Sequence, residues 1–206
     1  MADSRTAGRN CSLACTGTNA CNNMEFSCGG DTLTCSGTSV CNNLLFPCVA
    51  GRFDKCSRSC TGQNACKGMR QFTPQNELTC NGEEACRHLD FTGKQLHCHN
   101  GGCRNMRVSG FKTLSCSNAK TCMDTTFTGG STLTCGSGAS SCKNVKFVCG
   151  DGETCRLTCH GRESDTCENI VVNAEAAASL IVTAQITGGQ YRTSQWGSHV
   201  SHGHNV

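Results

Sequence analysis

Cysteine rhythm constrains this chain most. Its 206 residues contain 22 cysteines, and these recur inside one repeated phrase: Leu-Thr-Cys, a short polar turn, Cys-x-Asn, Leu or Met, then Phe. A phrase repeated about every 18 to 25 residues signals a stacked architecture in which each copy is one coil of a solenoid. Serial repetition also makes the cysteines structural parts, which argues against any single pair being a catalytic device.

The first copy runs from Leu13 to Phe26 and the second from Leu33 to Phe46. The third is less regular, with Met69 and a late Phe72 after Cys66. Later copies carry Leu78 to Phe91, Leu96 to Val108, Leu114 to Phe127, Leu133 to Phe147 and Leu157 to Val172, and a cysteine-free copy covers Leu180 to Ile186. Within each copy Leu and Cys alternate with Thr, and Met and Phe alternate with Glu or a similar polar residue. That is the period of a short half-buried strand. The turns are rich in Gly, Asn and Ser. Each strand is too short to stand alone, and coils stacked at roughly 4.8 Å supply the missing neighbours.

The reading is an all-β fold, a disulfide-reinforced parallel β-helix (β-solenoid) of about eight to nine coils. Residues 1–10 form an arm, 11–187 the solenoid with its last cysteine-free coil at about 170–187, and 188–206 a tail.

Of the 36% hydrophobic residues many are the cysteines themselves, so ordinary apolar side chains are scarce for a core of this length. Disulfides must supply part of the stability. Pairing within a copy joins Cys15 to Cys21, Cys35 to Cys41, Cys60 to Cys66, Cys80 to Cys86, Cys98 to Cys103, Cys116 to Cys122, Cys135 to Cys142 and Cys159 to Cys167. The remainder pair as Cys48 with Cys56, Cys149 with Cys155 and Cys11 with Cys28. Each short loop is worth roughly 2 kcal/mol. Pairing between adjacent coils is geometrically open as well.

Such density implies an oxidising, extracellular or cell-surface location. Met1-Ala2-Asp3-Ser4-Arg5 has no apolar signal core, so the export signal is expected outside these residues, and no stretch reaches the length of a membrane span. A net charge of +3 with interspersed signs gives no case for nucleic acid or membrane binding.

Candidate sites follow from columns of equivalent residues. The position two after the second cysteine reads Asn23, Asn43, Gly68, His88, Asn105, Asp124, Asn144, Asn169; it is expected to face inward as a stacked amide ladder, with a ligand row as the rival. The outward positions around the first cysteine give a Thr/Ser stripe of Thr32, Thr34, Thr79, Thr113, Ser115, Thr132, Thr134 and Thr158, interrupted by Glu77, Gln95, His97 and Arg156. An ice-binding face needs an unbroken rank of this kind.

Metal-thiolate chemistry is disfavoured, because Cys-x5-Cys in register with Leu and Phe is not a zinc-knuckle spacing. No metal or other cofactor is expected, although His199, His202 and His204 cluster near the end. No catalytic motif occurs, and the outward Glu25, Asp90, Arg107 and Lys146 form no identifiable set, so an enzyme is not expected.

Beyond Cys167 the chain turns apolar and β-branched. A solenoid exposes strand edges at its ends, and Val171, Val172, Leu180, Ile181, Val182 and Ile186 form either a cap or a docking end. Docking of last coil on first coil propagates head to tail into filaments. The Cys-Thr-Gly-x-x-x-Cys and Leu-Thr-Cys phrases over residues 11 to 172 resemble cysteine-rich tandem repeats in surface and extracellular proteins of eukaryotic microbes. That resemblance implies a structural or adhesive extracellular role. The expected partner is the chain itself, as a homopolymer, with other surface proteins or glycans as further partners. The alternative is a ligand- or surface-binding solenoid using the Thr/Ser stripe.

Overall fold

In a computed structural model, which describes residues 12–26, 32–46, 56–69, 75–161, 165–186 and 200–202, every Leu-Thr-Cys phrase is a strand. The strands are β1 (Ser12–Thr16), β2 (Thr32–Ser36), β3 (Ser57–Thr61), β4 (Gln75–Asn81), β5 (Asp90–His99), β6 (Arg107–Ser109) and β7 (Thr113–Cys116). Then follow β8 (Thr126–Gly130), β9 (Thr132–Cys135), β10 (Lys146–Cys149), β11 (Thr154–Gly161), β12 (Val171–Asn173), β13 (Ser179–Ile186) and β14 (Val200–His202).

They build two parallel columns. The long one runs β1-β2-β3-β4-β5-β7-β9-β11-β13-β14, and the short one β5-β6-β8-β10-β12. β5 serves both, pairing Asp90 to Thr92 with β6 and Gln95 to Cys98 with β7. The fold is therefore a parallel β-solenoid. Its coil count differs slightly from the eight to nine expected: ten strands line the long face, but regular strands oppose them in only five coils. The tenth, β14, lies in the stretch expected to be a tail, where Val200 to His202 pair with Leu180 to Val182.

Register is set by the repeat itself. Leu13 pairs with Leu33 and Cys15 with Cys35, and the same match recurs at Leu114 with Leu133 and Cys116 with Cys135. A slip of one residue would send every Leu and Cys outward and every Thr inward, so the pattern tolerates one alignment.

The core is filled from both faces. Leu33, Leu78, Leu114 and Leu133 come from the long column, opposite Leu44, Leu89, Phe91, Phe127 and Phe147, all buried. Each such side chain contributes about 1.5–3 kcal/mol. The column breaks once: Arg58 stands between Leu33 and Leu78 and is 1% exposed. It donates to the Phe46 carbonyl, lies 5.8 Å over the Phe46 ring, and burial lowers its pKa to about 10.

Between the strands, left-handed residues alternate with right-handed ones: Asn19, Cys21, Asn23, and likewise Ser39, Cys41, Asn43. The second cysteine of most copies sits at positive φ, a conformation costing a non-glycine residue roughly 1–2 kcal/mol. Its disulfide and the stacking of coils hold it there. The backbone ladder continues through the turn, with Asn19 N donating to Thr38 O (3.0 Å) and Cys41 N to Ala20 O (2.9 Å).

This turn overturns one expectation. The Asn column does not face inward: Asn23, Asn43, Asn144 and Asn169 are exposed. Each Asn directly precedes a residue of the Met24 and Leu44 core column, and its left-handed backbone leaves the amide outside. The ladder exists all the same, with Asn43 Nδ2 on Asn23 Oδ1 (3.0 Å), Asn144 on Asp124 (2.8 Å) and Asn169 on Asn144 (3.1 Å). In the first coil Met24, read as inward, is 46% exposed, while Leu44 at the equivalent position of the next coil is buried. Phe72 lies outside the described residues.

Candidate functional site

Nine disulfides are described, and each closes within a single coil or its connecting loop: Cys15–Cys21, Cys35–Cys41, Cys60–Cys66, Cys80–Cys86, Cys98–Cys103, Cys116–Cys122, Cys135–Cys142, Cys149–Cys155 and Cys159–Cys167. Cys56 is disulfide-bonded too, while Cys48, Cys11 and Cys28 lie outside the described residues. Stacking brings the sulfurs of Cys135, Cys159 and Cys167 within 4.8 Å of one another. All three are spent in disulfides, so they offer no thiolate to a metal.

The flat outer face of the long column carries the Thr/Ser stripe. Pairing aligns Thr32 with Ser57, then Glu77, Gln95, Thr113, Thr132 and Arg156. Beside it run Thr34, Ser59, Thr79, His97, Ser115, Thr134 and Thr158 in the same registers. Equivalent positions recur at about 4.8 Å along the axis, with about 6.8 Å between the two columns. The structure thus brings all eight predicted stripe residues onto one face but divides them. Thr32, Thr34 and Thr79 fall on one side of Gln95 and His97, and Thr113, Ser115, Thr132, Thr134 and Thr158 on the other. At the divide His97 Nε2 lies 3.6 Å from Glu77 Oε1, both half-exposed.

The turn corner carries a second polar row. Glu84 pairs with Arg87 (2.8 Å) and, one coil on, with Arg104 (3.3 Å), and Arg104 reaches Asp124 (3.7 Å). The Arg87 hydrogen bond, aided by the charges of Arg87, Lys67 and Arg104, holds the Glu84 carboxyl below its usual range against a smaller opposing effect of burial. Lys143 bridges Glu168 (2.7 Å) and Asp165 (3.2 Å), and these hydrogen bonds raise its ammonium pKa. These pairs fasten neighbouring turns. Of the four outward residues that gave no set in sequence, Asp90, Arg107 and Lys146 fall on the short column, where Asp90 adjoins Arg107 and Thr126 separates Arg107 from Lys146, while Glu25 forms an isolated bridge with Leu45.

At the far end Val171 is 39% exposed, Val172 and Val182 pack partly against the core, and Leu180 is buried. Ile181 is half-buried, and Ile186 lies opposite Gly161 in the β11–β13 pairing. β13 pairs with β11 along eight residues but with β14 along only three.

Sequence reasoning missed two features. Arg58 sits in an irregular third copy whose Leu is replaced, and that replacement was its signal. His99 follows His97 on the same outward face of β5; Leu96-His97-Cys98-His99 was visible as a variant of Leu-Thr-Cys-Ser.

No family model, curated protein or solved structure matches this chain. Fold and surface define its class: a stable, disulfide-rich parallel β-solenoid whose bridge density fits an oxidising, extracytosolic compartment. Among the described residues no helix is long and apolar enough to cross a membrane.

Proposed function

We propose that the protein is a non-catalytic structural module of the extracellular space or cell surface that stacks end to end with copies of itself. One observation carries this reading. Met24, in the core column that Leu44 continues, is exposed in the first copy, and Val171, at the outward position that Lys146 holds one coil earlier, is exposed in the last cysteine-bearing copy. A second molecule whose first coil stacks beyond β13 and β14 would cover Met24 of that coil and continue the long column across the junction. It is the one partner certain to carry the matching period.

Electron microscopy of the native material tests it. Filaments with one subunit per roughly 45–50 Å of axis are expected, from ten strands at about 4.8 Å each. Dispersed monomers at high concentration would overturn the proposal.

A second reading rests on the aligned block Thr113, Ser115, Thr132 and Thr134, which offers a regular hydroxyl lattice to ice or a glycan surface. Thermal hysteresis abolished by Thr134→Lys would support it. The break at Gln95 and His97 weighs against it, because ordered water over a flat face needs a continuous rank.

A further inference from the structure

We infer that the bridges Cys135–Cys142 and Cys159–Cys167 form a thiol-disulfide exchange site, at which a low-molecular-weight thiol converts two bridges inside coils into two bridges between them. The sulfurs of Cys135, Cys159 and Cys167 lie within 4.8 Å of one another, the one such triplet among the described residues. Register explains how they meet. Cys135 and Cys159 are direct partners in the β9–β11 pairing. Their Cα atoms therefore stand about 4.8 Å apart, inside the range that a disulfide spans. Cys142 and Cys167 stack in the following turn, where Cys167 N donates to the Ser141 carbonyl (2.9 Å). The backbone thus already holds both alternative pairs side by side, and side-chain rotation completes the change.

The steps balance without a net oxidant. A small thiolate attacks Cys167 Sγ, forms a mixed disulfide there and releases Cys159 as thiolate. Cys159 attacks Cys135 Sγ, which makes the Cys135–Cys159 bridge and expels Cys142 as thiolate. Cys142 then attacks Cys167 Sγ in the mixed disulfide, which makes Cys142–Cys167 and returns the small thiol. Two disulfides are consumed and two are formed. Access sets the timing. Cys142 and Cys167 are 0% and Cys159 is 3% exposed. The thiol therefore enters when β13, whose Ala184 is the register partner of Cys159, opens at the far end of the column. Cys21, the equivalent of Cys167 in the first coil, is already partly exposed, as Cys167 becomes once the strand beyond it leaves. Opening at this end then triggers a lock, because the coils of β9 and β11 become covalently tied.

Two measurements on the full chain test this. Native protein is incubated with substoichiometric reduced glutathione, quenched with acid and digested with trypsin without reduction. Cleavage after Lys143 separates Cys135 and Cys142 from Cys159 and Cys167, so exchange appears as a new mass joining the two segments. In Cys142→Ser the thiol left on Cys135 should attack the neighbouring bridge at Cys159, and alkylation should find most of the free thiol on Cys167. Native masses unchanged by glutathione would overturn the inference. So would a spread of other pairs, which is general scrambling, or a folded variant that keeps its thiol on Cys135. If the variant does not fold, the digest of the native protein decides alone.

Discussion

Gly37 stacks on Gly17 so closely that a β-carbon added to Gly37 would lie 2.1 Å from the Gly17 carbonyl oxygen. Gly62 repeats this on Gly37 at 2.3 Å, and Gly82 on Gly62 at 2.6 Å. The Gly that follows Cys-Thr in the repeat is thus required twice, for its positive φ and for the close approach of one coil to the next.

Gly37→Ala and Gly17→Ala separate the two requirements. Both positions have positive φ, but a β-carbon at Gly17 meets nothing within 4 Å. Gly17→Ala should cost about 1 kcal/mol from backbone strain alone. Gly37→Ala should cost about 2 kcal/mol or more beyond that, because the obstruction is backbone. Denaturant unfolding of the two variants measures the difference; equal losses would show that the coils separate freely at this corner.

Arg58 occupies a leucine slot, and burial lowers its pKa to about 10. For a base, a folded pKa below the unfolded one means that the charged form disfavours folding at neutral pH, and that this cost fades only as pH rises past 10. Arg58→Leu should therefore leave the melting temperature unchanged or raise it, since a packed apolar residue often replaces a buried charge without loss. Arg58→Ala should lower it by opening a cavity between Leu33 and Leu78. A leucine variant less stable than the native protein would mean that the contacts of Arg58 with Phe46 outweigh the cost of its burial.

Much of this was legible because the repeat states it many times over. A strand of Leu-Thr-Cys has one inward face, and its recurrence fixes parallel stacking and register together, as the Leu114–Leu133 and Cys116–Cys135 pairings show. What could not be read was the turn. The Asn column was expected inside, whereas it stands exposed at left-handed positions such as Asn23 and Asn43; a recurring Asn signals left-handed backbone but not which way the amide points. The stripe was legible residue by residue, and so was its interruption at Gln95 and His97; register added that both lie on β5 and divide the face between Thr79 and Thr113. β14 was invisible for another reason: Val200 to His202 is too short and polar to read as a strand until β13 offers it an edge.

Glu84 links its own turn to the next through Arg87 and Arg104, and its carboxyl pKa is depressed. A carboxyl depressed on folding gives stability that is present above its unfolded value, about 4.3, and is lost as pH falls through the folded one. Melting temperature should therefore decline below about pH 4.3, and Glu84→Gln should flatten that decline while lowering the plateau at neutral pH slightly. An acid limb identical in the two proteins would mean that this cluster contributes nothing measurable.

Among the described residues the disulfides close inside coils or their connecting loops, bracing each turn and leaving the axis there to hydrogen bonds and side-chain stacking. Pulled from its two ends, the solenoid should therefore unwind coil by coil, even when fully oxidised. The Cys60–Cys66 bridge, with a sequence separation of 6, withholds its loop from extension. About fourteen of the roughly twenty residues between Cys60 and Cys80 remain extensible, giving steps of about 50 Å at about 3.5 Å per residue. Reduction should lengthen the step toward about 70 Å and lower the force, since each bridge contributes roughly 2 kcal/mol to its coil. Single-molecule stretching with and without reductant reads both quantities. Oxidised molecules that refuse to extend would place covalent bridges between coils and contradict the pairing within them.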